Sequence, residues 1–521
     1  MFKKTAVVLV SSTIMFAGAS IGGDHTVHAG GNHKTEGEVE NVIYMIPDGF
    51  SAGYATNYRW YKGEDSIFDP YLKGMMKTYS NDSEVTDSAA AGTAMATGQK
   101  TNNGMVGVTP DGKEIDSILD ASEAAGKSSG LVATSTITHA TPAVFGASVN
   151  DRDDQSLIAP QYLENDVDVI LGGGREFFLP ESEGGKQADT NLVEAAQEQG
   201  YTYVENRDQL MNIGSSEKVL GLFADGPLSS ELDRDETMEP GLAEMTSSAI
   251  DTLSKDEDGF FLMVEGSQID WAGHAHDAAW AMKDTEAFEK AVKEALDFAK
   301  KDENTLVVIA GDHETGGMTV GSNGEYDVKT EVVKNVTATG DHMAEQLDDE
   351  MSNIKEVVKE YTGLELSEKE VEDIRSSENP NNAINDMVSD QALIGWTSSA
   401  HTGVDVPIYA FGPSADSFSG LVNNTDLPQK MASAMNVKLS ADVKKDHDRT
   451  SWKDQNNLEY TVPTGGWDSF SVVDLLKSHG YHSNLMFRGK IAESYEVKEY
   501  KGTAQQNIFL LKELKDELNS K

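Results

Sequence analysis

Six short apolar runs, rich in β-branched and aromatic residues, recur along the chain and constrain its fold more than any other feature. They span residues 42–46, 131–134, 167–171, 260–264, 306–310 and 408–411. Several of these runs are followed by Gly, Asp or His and then by a segment with helical periodicity. This alternation predicts an α/β fold with a mostly parallel central sheet flanked by helices on both faces.

Amphipathic segments lie between the apolar runs, notably at residues 115–125, 242–253 and 278–300. Their apolar positions repeat with the period of an α-helix, as expected of the crossovers in a doubly wound sheet. With 521 residues, 38% of them apolar, the chain can bury a large core. We therefore predict one large α/β domain over residues 41–439, with insertions.

The first 29 residues have the pattern of a secretory signal peptide. Lys3 and Lys4 precede an apolar run over residues 6–19, and small residues at 17–19 and 27–29 offer two cleavage points. A membrane anchor is the alternative, but the run is shorter than the roughly 20 residues that a spanning helix needs. The rest of the sequence contains no transmembrane pattern. We expect an exported protein, periplasmic or extracellular, in which residues 30–40 form a linker.

Charge and cysteine content narrow the chemistry that is available to this chain. There is no cysteine, so any metal site must be built from histidines and carboxylates. Acidic residues number 88 against 42 basic ones, which gives a formal net charge of -46. Nucleic acids and anionic membranes are therefore poor partners. A surface this acidic also suggests a saline medium, in which ions screen the self-repulsion.

Two segments depart from the α/β pattern. Residues 321–392 are polar and acidic, with a helix predicted to start at a capping box formed by Ser367 and Glu370. We interpret this segment as an inserted subdomain; the alternative, an extended loop, would be unusually long for a compact domain. Residues 440–521 form a C-terminal extension to which the sequence assigns no role.

Acidic residues and histidines follow three of the apolar runs. Asp48 follows the first run, Glu265 the fourth, and Asp312 and His313 the fifth. An open α/β sheet collects its ligand-binding groups at the carboxyl ends of its strands. A single aspartate in such a place is usually a turn residue or a helix cap. Three such positions, together with histidines, favour a metal site.

The segment from Asp270 to His274 has the spacing of a metal-binding helix. Four residues apart on a helix, a carboxylate and an imidazole share one face and can bind one cation. Without other ligands, the same spacing would indicate a hydrogen bond on the helix surface. His313 and His401 are the further candidate ligands. His276 is out of phase with this face, and we interpret it as a bystander.

Ser88 stands at the start of an alanine-rich segment that is predicted to be helical. A helix start carries a partial positive charge, which favours an alkoxide and a neighbouring phosphate. The alternative is that Ser88 is an ordinary N-cap. No histidine lies near it in the sequence to act as a base, so a metal would have to activate the hydroxyl.

Seven short segments of this chain, in order between about residues 41 and 439, resemble the alkaline phosphatase family. They are Pro47-Asp48-Gly49, 86–94 (Thr-Asp-Ser-Ala-Ala-Ala-Gly-Thr-Ala), 138–142 (Thr-His-Ala-Thr-Pro), 264–266 (Val-Glu-Gly), 270–274 (Asp-Trp-Ala-Gly-His), 311–317 (Gly-Asp-His-Glu-Thr-Gly-Gly) and 401–403 (His-Thr-Gly). The resemblance implies a phosphomonoesterase that forms a phosphoserine at Ser88, works best at high pH and is a homodimer. Its substrates would be small phosphate monoesters.

The same resemblance implies roles for individual residues. One Zn²⁺ would be held by Asp270, His274 and His401, and a second by Asp48, Asp312 and His313. A third site, expected to hold Mg²⁺, would use Asp48, Thr141 and Glu265. Arg152 would bind phosphate through its planar guanidinium, and Asp87 would orient the nucleophile.

Two positions differ from the commonest family pattern. His139 stands where other members have aspartate, and Trp271 where many have lysine or histidine. His139 is thus a further candidate ligand of the third site, directly or through water, and it leaves the identity of that metal open.

Two other functions are compatible with parts of the sequence. A related sulfatase would carry Pro and Arg after its modified Cys or Ser, which Ser88 lacks. A phosphodiesterase is disfavoured by Arg152, because a diester has no second charged oxygen for the guanidinium. A non-catalytic acidic metal-binding protein would explain the charge, but neither Ser88 nor Arg152.

Overall fold

The structure is a computed structural model that describes residues 39–234 and 237–440, with six isolated positions at 492, 495, 497, 510, 512 and 514. The predicted signal peptide lies outside the described residues. So do residues 30–38 of the predicted linker and, apart from residue 440 and those six positions, the C-terminal extension.

The described residues form fourteen strands. In chain order they are β1 Asn41–Pro47, β2 Leu72–Lys77, β3 Ser128–Thr136, β4 Val169–Gly173, β5 Thr202–Val204, β6 Val219–Leu222, β7 Phe260–Gly266, β8 Thr305–Ala310, β9 Glu314–Thr315, β10 Thr319–Val320, β11 Ile394–Gly395, β12 His401–Thr402, β13 Val406–Phe411 and β14 Gly420–Asn423.

Ten of these strands form one sheet in the order β14-β2-β13-β8-β1-β7-β3-β4-β6-β5. Every neighbouring pair is parallel except the two that involve β13, which runs antiparallel to both β2 and β8. All six apolar runs of the sequence are strands of this sheet. The predicted α/β fold with a mostly parallel central sheet is therefore confirmed.

The described residues also form sixteen α-helices. They are α1 Ala52–Lys62, α2 Ser88–Thr97, α3 Ile118–Ala124, α4 Ala140–Gly146, α5 Gln155–Glu164, α6 Leu192–Glu198, α7 Arg207–Leu210, α8 Leu242–Leu253, α9 Gln268–His274, α10 Ala278–Asp302, α11 Thr330–Lys334, α12 Gly340–Glu345, α13 Ile354–Thr362, α14 Glu368–Ser376, α15 Pro380–Ala392 and α16 Asp426–Met435. Short 3-10 helices lie at Asp69–Tyr71, Arg175–Phe177, Glu181–Glu183 and Ala415–Phe418.

Helices cover both faces of the sheet, and each face has its own apolar core. Because side chains alternate along a strand, Ile43 and Met45 of β1 join one core while Tyr44 and Ile46 join the other. The first core includes α1, α8 and α10, and the second includes α2 to α6 and α16. Strand β1 thus lies between two apolar layers, which explains why its sequence is apolar at every position from 42 to 46.

Five of the helices, α11 to α15, come from the segment that the sequence marks as an insert. The short strands β10 and β11, at the two ends of this segment, pair antiparallel. The predicted capping box is present at the start of α14, where the Ser367 hydroxyl accepts from Glu370 N and the Glu370 carboxylate accepts from Ser367 N. Apolar side chains of the insert, such as Ile354 and Ile384, belong to the same core as α1 and α10.

None of the helices in the described part of the chain combines the length and the apolar character that crossing a membrane would require.

Candidate active site

Three adjacent central strands bring the first group of predicted site residues together. Strand β1 pairs in parallel with β7 on one side and β8 on the other. Asp48 follows β1, Glu265 lies in β7, and Asp312 and His313 come shortly after β8. All four side chains are buried. The parallel arrangement therefore places three carboxylates and an imidazole at one edge of the sheet, as the sequence predicts.

Helix α9 begins directly after β7 and supplies Asp270 and His274. The distance between His274 Nε2 and Asp270 Oδ2 is 3.4 Å, so the two side chains share one face of the helix as predicted. His401 reaches the same place from β12, which pairs with β9 so that His401 stands opposite Thr315. Its Nε2 lies 3.5 Å from Asp270 Oδ1 and 3.1 Å from His274 Nε2.

The turn after β1 is possible because position 49 is glycine. Gly49 has a φ of 75°, and a Cβ there would lie 2.8 Å from Thr315 Oγ1 and 2.9 Å from the Asp270 backbone. Its amide also donates to Asp312 Oδ1 at 3.2 Å. A larger residue would push apart the segments that hold Asp48, Asp270 and Asp312.

The outer nitrogens of all three site histidines donate to oxygen atoms. His274 Nδ1 donates to Ser399 O, and His401 Nδ1 to Thr86 O, each at 2.8 Å. His313 Nδ1 lies 3.3 Å from Thr315 Oγ1, whose own proton goes to Asp270 Oδ1. This pattern places a proton on Nδ1 of each ring and leaves each Nε2 facing inward, toward the carboxylates.

The inward-facing atoms are all of the kind that bind cations. His313 Nε2 lies 3.2 Å from Asp312 Oδ2 and 3.5 Å from Asp48 Oδ1. Two sets of three such atoms, each set within 4.8 Å, occur in the described chain: Asp48, Asp312 and His313, and Asp270, His313 and His401. His313 belongs to both sets, and His274 adjoins the second. Carboxylate oxygens this close to one another repel unless positive charge lies among them.

Several buried carboxylate oxygens of the site have no hydrogen-bond partner in the described residues. These atoms are Asp48 Oδ1, Asp312 Oδ2 and Glu265 Oε1. Burial, together with the neighbouring carboxylates, raises the pKa of Asp48 well above its usual value and also raises that of Asp312. Buried carboxylates normally have partners. The donor set of oxygens and imidazole nitrogens therefore fits divalent metal ions such as Zn²⁺ and Mg²⁺.

The predicted third site lies beside the first two. Thr141, in the first turn of α4, donates from Oγ1 to Asp48 Oδ2 at 3.3 Å. Glu265 Oε2 accepts from the Ser135 hydroxyl at 3.4 Å, and burial raises the pKa of Glu265 to about 7. Asp48, Thr141 and Glu265 are therefore close together, with one carboxylate oxygen of each acid unpartnered.

Ser88 is the first residue of α2 and is buried. It is not the N-cap, which was the alternative reading of the sequence, because Asp87 occupies that position and accepts from Ala90 N at 2.9 Å. The distance from Ser88 Oγ to His313 Nε2 is 3.2 Å. The histidine nearest the serine thus comes from 225 positions further along the chain, which sequence proximity cannot reveal.

Arg152 lies at the open edge of this cluster. Its Nη1 donates to Asp87 Oδ2 at 2.9 Å and its Nη2 to His139 Nε2 at 3.2 Å. Burial beside the guanidinium lowers the pKa of His139 to about 4, so the ring is neutral. The edge of the Trp271 ring meets His139 at a centroid distance of 5.8 Å. His139 thus contacts the arginine, and neither set of three metal-ligand atoms includes it.

Sequence reasoning missed several residues that orient the site. Thr315 connects Asp270 to His313 through one hydroxyl. Glu314 is buried and accepts from Gly317 N, Met318 N and Thr402 Oγ1, which fixes the turn beside His313. Both residues lie in the 311–317 segment, which is one of the seven that carry the family resemblance, so this segment could have pointed to them. The roles of the Thr86 and Ser399 carbonyls could not be predicted, because every residue has a backbone carbonyl and the sequence does not distinguish these two.

Comparisons with known proteins agree with this geometry. The alkaline phosphatase family matches residues 39–437. "Alkaline phosphatase 3" of Bacillus subtilis (strain 168) is 40% identical over 467 residues, which cover 84% of this chain and 98% of the relative. The cold-active alkaline phosphatase of the psychrophile Shewanella sp. is 35% identical, with a TM-score of 0.70 over 76% of this chain and 99% of that one.

A second similar structure is a histidine-to-glutamate variant of the alkaline phosphatase from the Antarctic bacterium TAB5, described as having Mg bound in its M3 site. It is 28% identical, with a TM-score of 0.61 over 78% of this chain and all of that one. The match to the family spans most of the chain, and the relative from Bacillus is covered almost completely. This chain therefore belongs to the alkaline phosphatase family and is a metal-dependent phosphomonoesterase.

Proposed function

We propose that the enzyme hydrolyses phosphate monoesters in two displacements, with Ser88 Oγ as the first acceptor of the phosphoryl group. One observation carries this proposal. Ser88 Oγ is buried in the first turn of α2 and lies 3.2 Å from His313 Nε2, the nitrogen that also adjoins the Asp48 and Asp312 carboxylates. The nucleophile is thus adjacent to the atoms that are best suited to bind metal.

We assign the metals as the family resemblance suggests. Asp270, His274 and His401 would hold one Zn²⁺, and Asp48, Asp312 and His313 a second. Asp48, Thr141 and Glu265 would hold a third ion, Mg²⁺. When bound, these ions would act as Lewis acids that favour ionisation of the serine hydroxyl and stabilise charge on the reacting oxygens. The unpartnered carboxylate oxygens and inward-facing imidazole nitrogens support this assignment.

The protein groups account for the remaining steps. Ser88 Oγ attacks phosphorus, the Oγ–P bond forms as the ester P–O bond breaks, and the serine proton ends on the departing alcohol. Water then attacks the same phosphorus, the Oγ–P bond breaks, and Ser88 recovers its proton as phosphate leaves. The positive end of α2 and the Arg152 guanidinium would hold the phosphoryl oxygens throughout. Asp87 fixes that guanidinium through a 2.9 Å ion pair.

Arg152 also supports monoesters as the substrate class. A dianionic monoester can present two charged oxygens to the guanidinium fork, whereas a diester presents one. We expect Arg152→Ala to raise KM for an aryl phosphate by about tenfold or more, because a hydrogen bond to a charged group contributes about 1.5–3 kcal/mol. Competitive inhibition by inorganic phosphate should weaken in parallel.

His139 bears on the identity of the third metal. The neutral ring accepts a hydrogen bond from Arg152 and so competes for a group that phosphate also needs. In the TAB5 relative, a histidine-to-glutamate variant is described with Mg in its M3 site. We propose that His139→Asp would raise the affinity of this enzyme for Mg²⁺. Equilibrium dialysis with Mg²⁺ would test this, and an unchanged dissociation constant would contradict it.

The test of the whole proposal is Ser88→Ala, assayed with a chromogenic aryl phosphate. We expect turnover to fall by at least about a thousandfold while metal content stays at the wild-type value. Rapid quenching of the wild type in acid, followed by mass spectrometry, should reveal phosphate on the peptide that contains Ser88.

Thr97→Val is a matched control, because Thr97 is buried at the other end of α2, where its hydroxyl donates to Thr93 O and accepts from Gln99 N. This variant should keep near wild-type turnover. Wild-type turnover in Ser88→Ala would show that another group accepts the phosphoryl, and the two-displacement proposal would be wrong.

We also propose that the chain is exported after removal of residues 1–29 and that it works as a homodimer. The N-terminal sequence pattern supports the first statement, and the family resemblance supports the second. The mass of the protein from a secreting host would reveal cleavage, and light scattering would give the oligomeric state. The charge of -46 supports a saline medium; activity and stability that fell steadily with added salt would contradict it.

A further inference from the structure

His276 occupies an unusual backbone position directly after helix α9. Its φ is 54°, in the left-handed region that few residues other than glycine adopt, although histidine does so more often than most. The turn is closed by two backbone hydrogen bonds, from His276 N to Gly273 O at 3.2 Å and from Asp277 N to Ala272 O at 2.9 Å. Further contacts hold the residue in this conformation.

The imidazole of His276 makes those contacts with both ring nitrogens. Nδ1 donates to Asp386 Oδ1 in α15 at 2.8 Å, and Nε2 donates to Ser398 O at 2.9 Å. Both partners can only accept, so each ring nitrogen carries a proton in this arrangement. The ring also stacks on Trp396, with a centroid distance of 5.2 Å and an interplanar angle of 7°.

A second link runs through the backbone of His276 and strengthens the same connection. The Ser389 hydroxyl, also in α15, donates to His276 O at 2.9 Å and accepts from Trp396 Nε1 at 3.0 Å. His276 thus joins the end of α9, helix α15 of the insert, and the segment that contains Trp396 and Ser398. No other role in the site has been assigned to it.

The segment 396–401 is close to the proposed zinc site, because it contacts one proposed ligand, His274, and contains another, His401. Ser399 O accepts from His274 Nδ1 and so orients that ring, and His401 is itself a ligand. On one side, this segment is held by backbone hydrogen bonds to Gly316, from Gly316 N to Ala400 O and from Thr397 N to Gly316 O. On the other side, it is held by the ring of His276.

We propose that His276 is a positioning residue, which ties the segment 396–401 to helix α15 and thereby keeps His274 and His401 aimed at one zinc ion. This inference rests on the proposed assignment of His274 and His401 as ligands of one Zn²⁺. The proposed role of His276 gives the insert a function in metal retention, because its partners Asp386 and Ser389 belong to the insert. It does not make His276 a ligand, since both of its nitrogens are engaged elsewhere.

The test uses His276→Asn in the zinc-loaded enzyme. Asparagine tolerates the left-handed backbone, so the turn is kept while the ring contacts are lost. During dialysis against a chelator, we expect zinc to leave this variant about tenfold faster than the wild type, in line with the loss of groups that orient metal ligands. Turnover per bound zinc and KM should stay near wild type, and excess Zn²⁺ should restore full activity.

His342→Asn is the matched control, because His342 is likewise a partly buried histidine but contacts Tyr361 rather than the site. It should release zinc at the wild-type rate. Asp386→Asn keeps the ring of His276 but removes its carboxylate partner, and it should show a smaller acceleration in the same direction. Thermal unfolding of each metal-free variant records any general loss of stability.

Zinc release at the wild-type rate from His276→Asn would overturn the inference, even if the metal-free variant unfolds at a lower temperature. That result would mean that His276 only stabilises the fold and does not retain zinc. Failure of the underlying proposal looks different: the wild type itself would bind no zinc, or Ser88→Ala would keep full turnover.

Discussion

Two groups of mostly buried acidic residues lie near opposite ends of helix α9 and its turn, and they are held in opposite ways. The first, here called the site cluster, comprises Asp48, Glu265, Asp270 and Asp312. The second, here called the clamp cluster, comprises Asp233, Asp277 and Asp284, where the start of α10 meets the insert. Most of these side chains are buried, yet only the site cluster has the features of a metal centre.

The carboxylates of the clamp cluster accept hydrogen bonds from the surrounding chain. Asp277 accepts from Ala279 N and Trp280 N with one oxygen and from Gly340 N with the other. Asp233 accepts from the amide and the hydroxyl of Thr339. In this way, the clamp cluster fastens the beginning of α12 to the beginning of α10.

In the site cluster, by contrast, several carboxylate oxygens have no hydrogen-bond partner and lie close to inward-facing imidazole nitrogens. Burial alone therefore does not identify a functional carboxylate. Unpartnered oxygens are the better indicator, because buried carboxylates usually have partners and a bound cation would supply one here. The predictions below test this distinction.

The largest contrast should come from replacing one acid in each cluster. Asp312→Asn removes a charge from the site cluster, and we expect kcat/KM to fall by about a thousandfold, equivalent to several kcal/mol of transition-state stabilisation. Zinc content should also fall. Asp284→Asn changes the clamp cluster, where Asp284 accepts from Glu231 N, and its kcat and KM should stay within about twofold. A comparable loss of activity in both variants would contradict the distinction.

Removal of metal should destabilise the protein through the site cluster alone. Each ion that binds only the folded state contributes about 4 kcal/mol at a thousandfold excess over Kd, so chelation should lower Tm by roughly 5 °C for each ion removed. By calorimetry, chelation should lower the Tm of Asp284→Asn as much as that of the wild type. It should lower the Tm of Asp312→Asn much less. An equal shift in all three proteins would mean that chelation acts elsewhere.

The sequence predicted the site cluster well because its signals are local. Each acid follows an apolar strand, and Asp270 and His274 have helical spacing, so topology alone brings them together. The boundaries of β1, β7, β8 and α9 agree with the predicted ones to within two residues. Parallel strands fix which end of each run faces the site, so no knowledge of side-chain contacts was needed.

The clamp cluster and the role of His276 could not be predicted in this way. Asp277 looks like an ordinary helix cap, and its partner Gly340 is 63 positions away in the insert. The partner of His276 on α15 is 110 positions away. Such hydrogen bonds depend on how the insert docks on the α/β core, and periodicity within a segment carries no information about docking.

The clamp cluster should also affect how the free energy of unfolding depends on pH. Burial raises the pKa of Asp277 to about 6, against about 3.9 in an unfolded chain. The folded state therefore binds this proton more tightly, so the stabilising contribution is full below about pH 4 and is lost as the pH rises through 6. Asparagine does not titrate. The unfolding free energy of wild type minus that of Asp277→Asn should therefore fall by about 2 kcal/mol between pH 4 and 7.

Denaturant unfolding at several pH values would measure this difference. The comparison with Asp277→Asn removes contributions from all other titrating groups, the site cluster included, provided that the two clusters act independently. A difference that rises with pH would mean that Asp277 is stabilised as an anion by its three amide donors, and the sign of this prediction would be wrong.

The smallest effect should come from the hydroxyl that joins the clamp cluster to α12. Thr339 caps this helix by accepting from His342 N, and it donates from Oγ1 to Asp233 Oδ2 at 2.7 Å. Thr339→Val preserves the shape and removes both contacts, so the unfolding free energy should fall by about 1–2 kcal/mol. Turnover and zinc content should not change, because no oxygen of the site cluster depends on this hydroxyl. A change in zinc content would show that the two clusters are coupled through the insert, and it would extend the metal-retaining role inferred for His276 to the docking of α12.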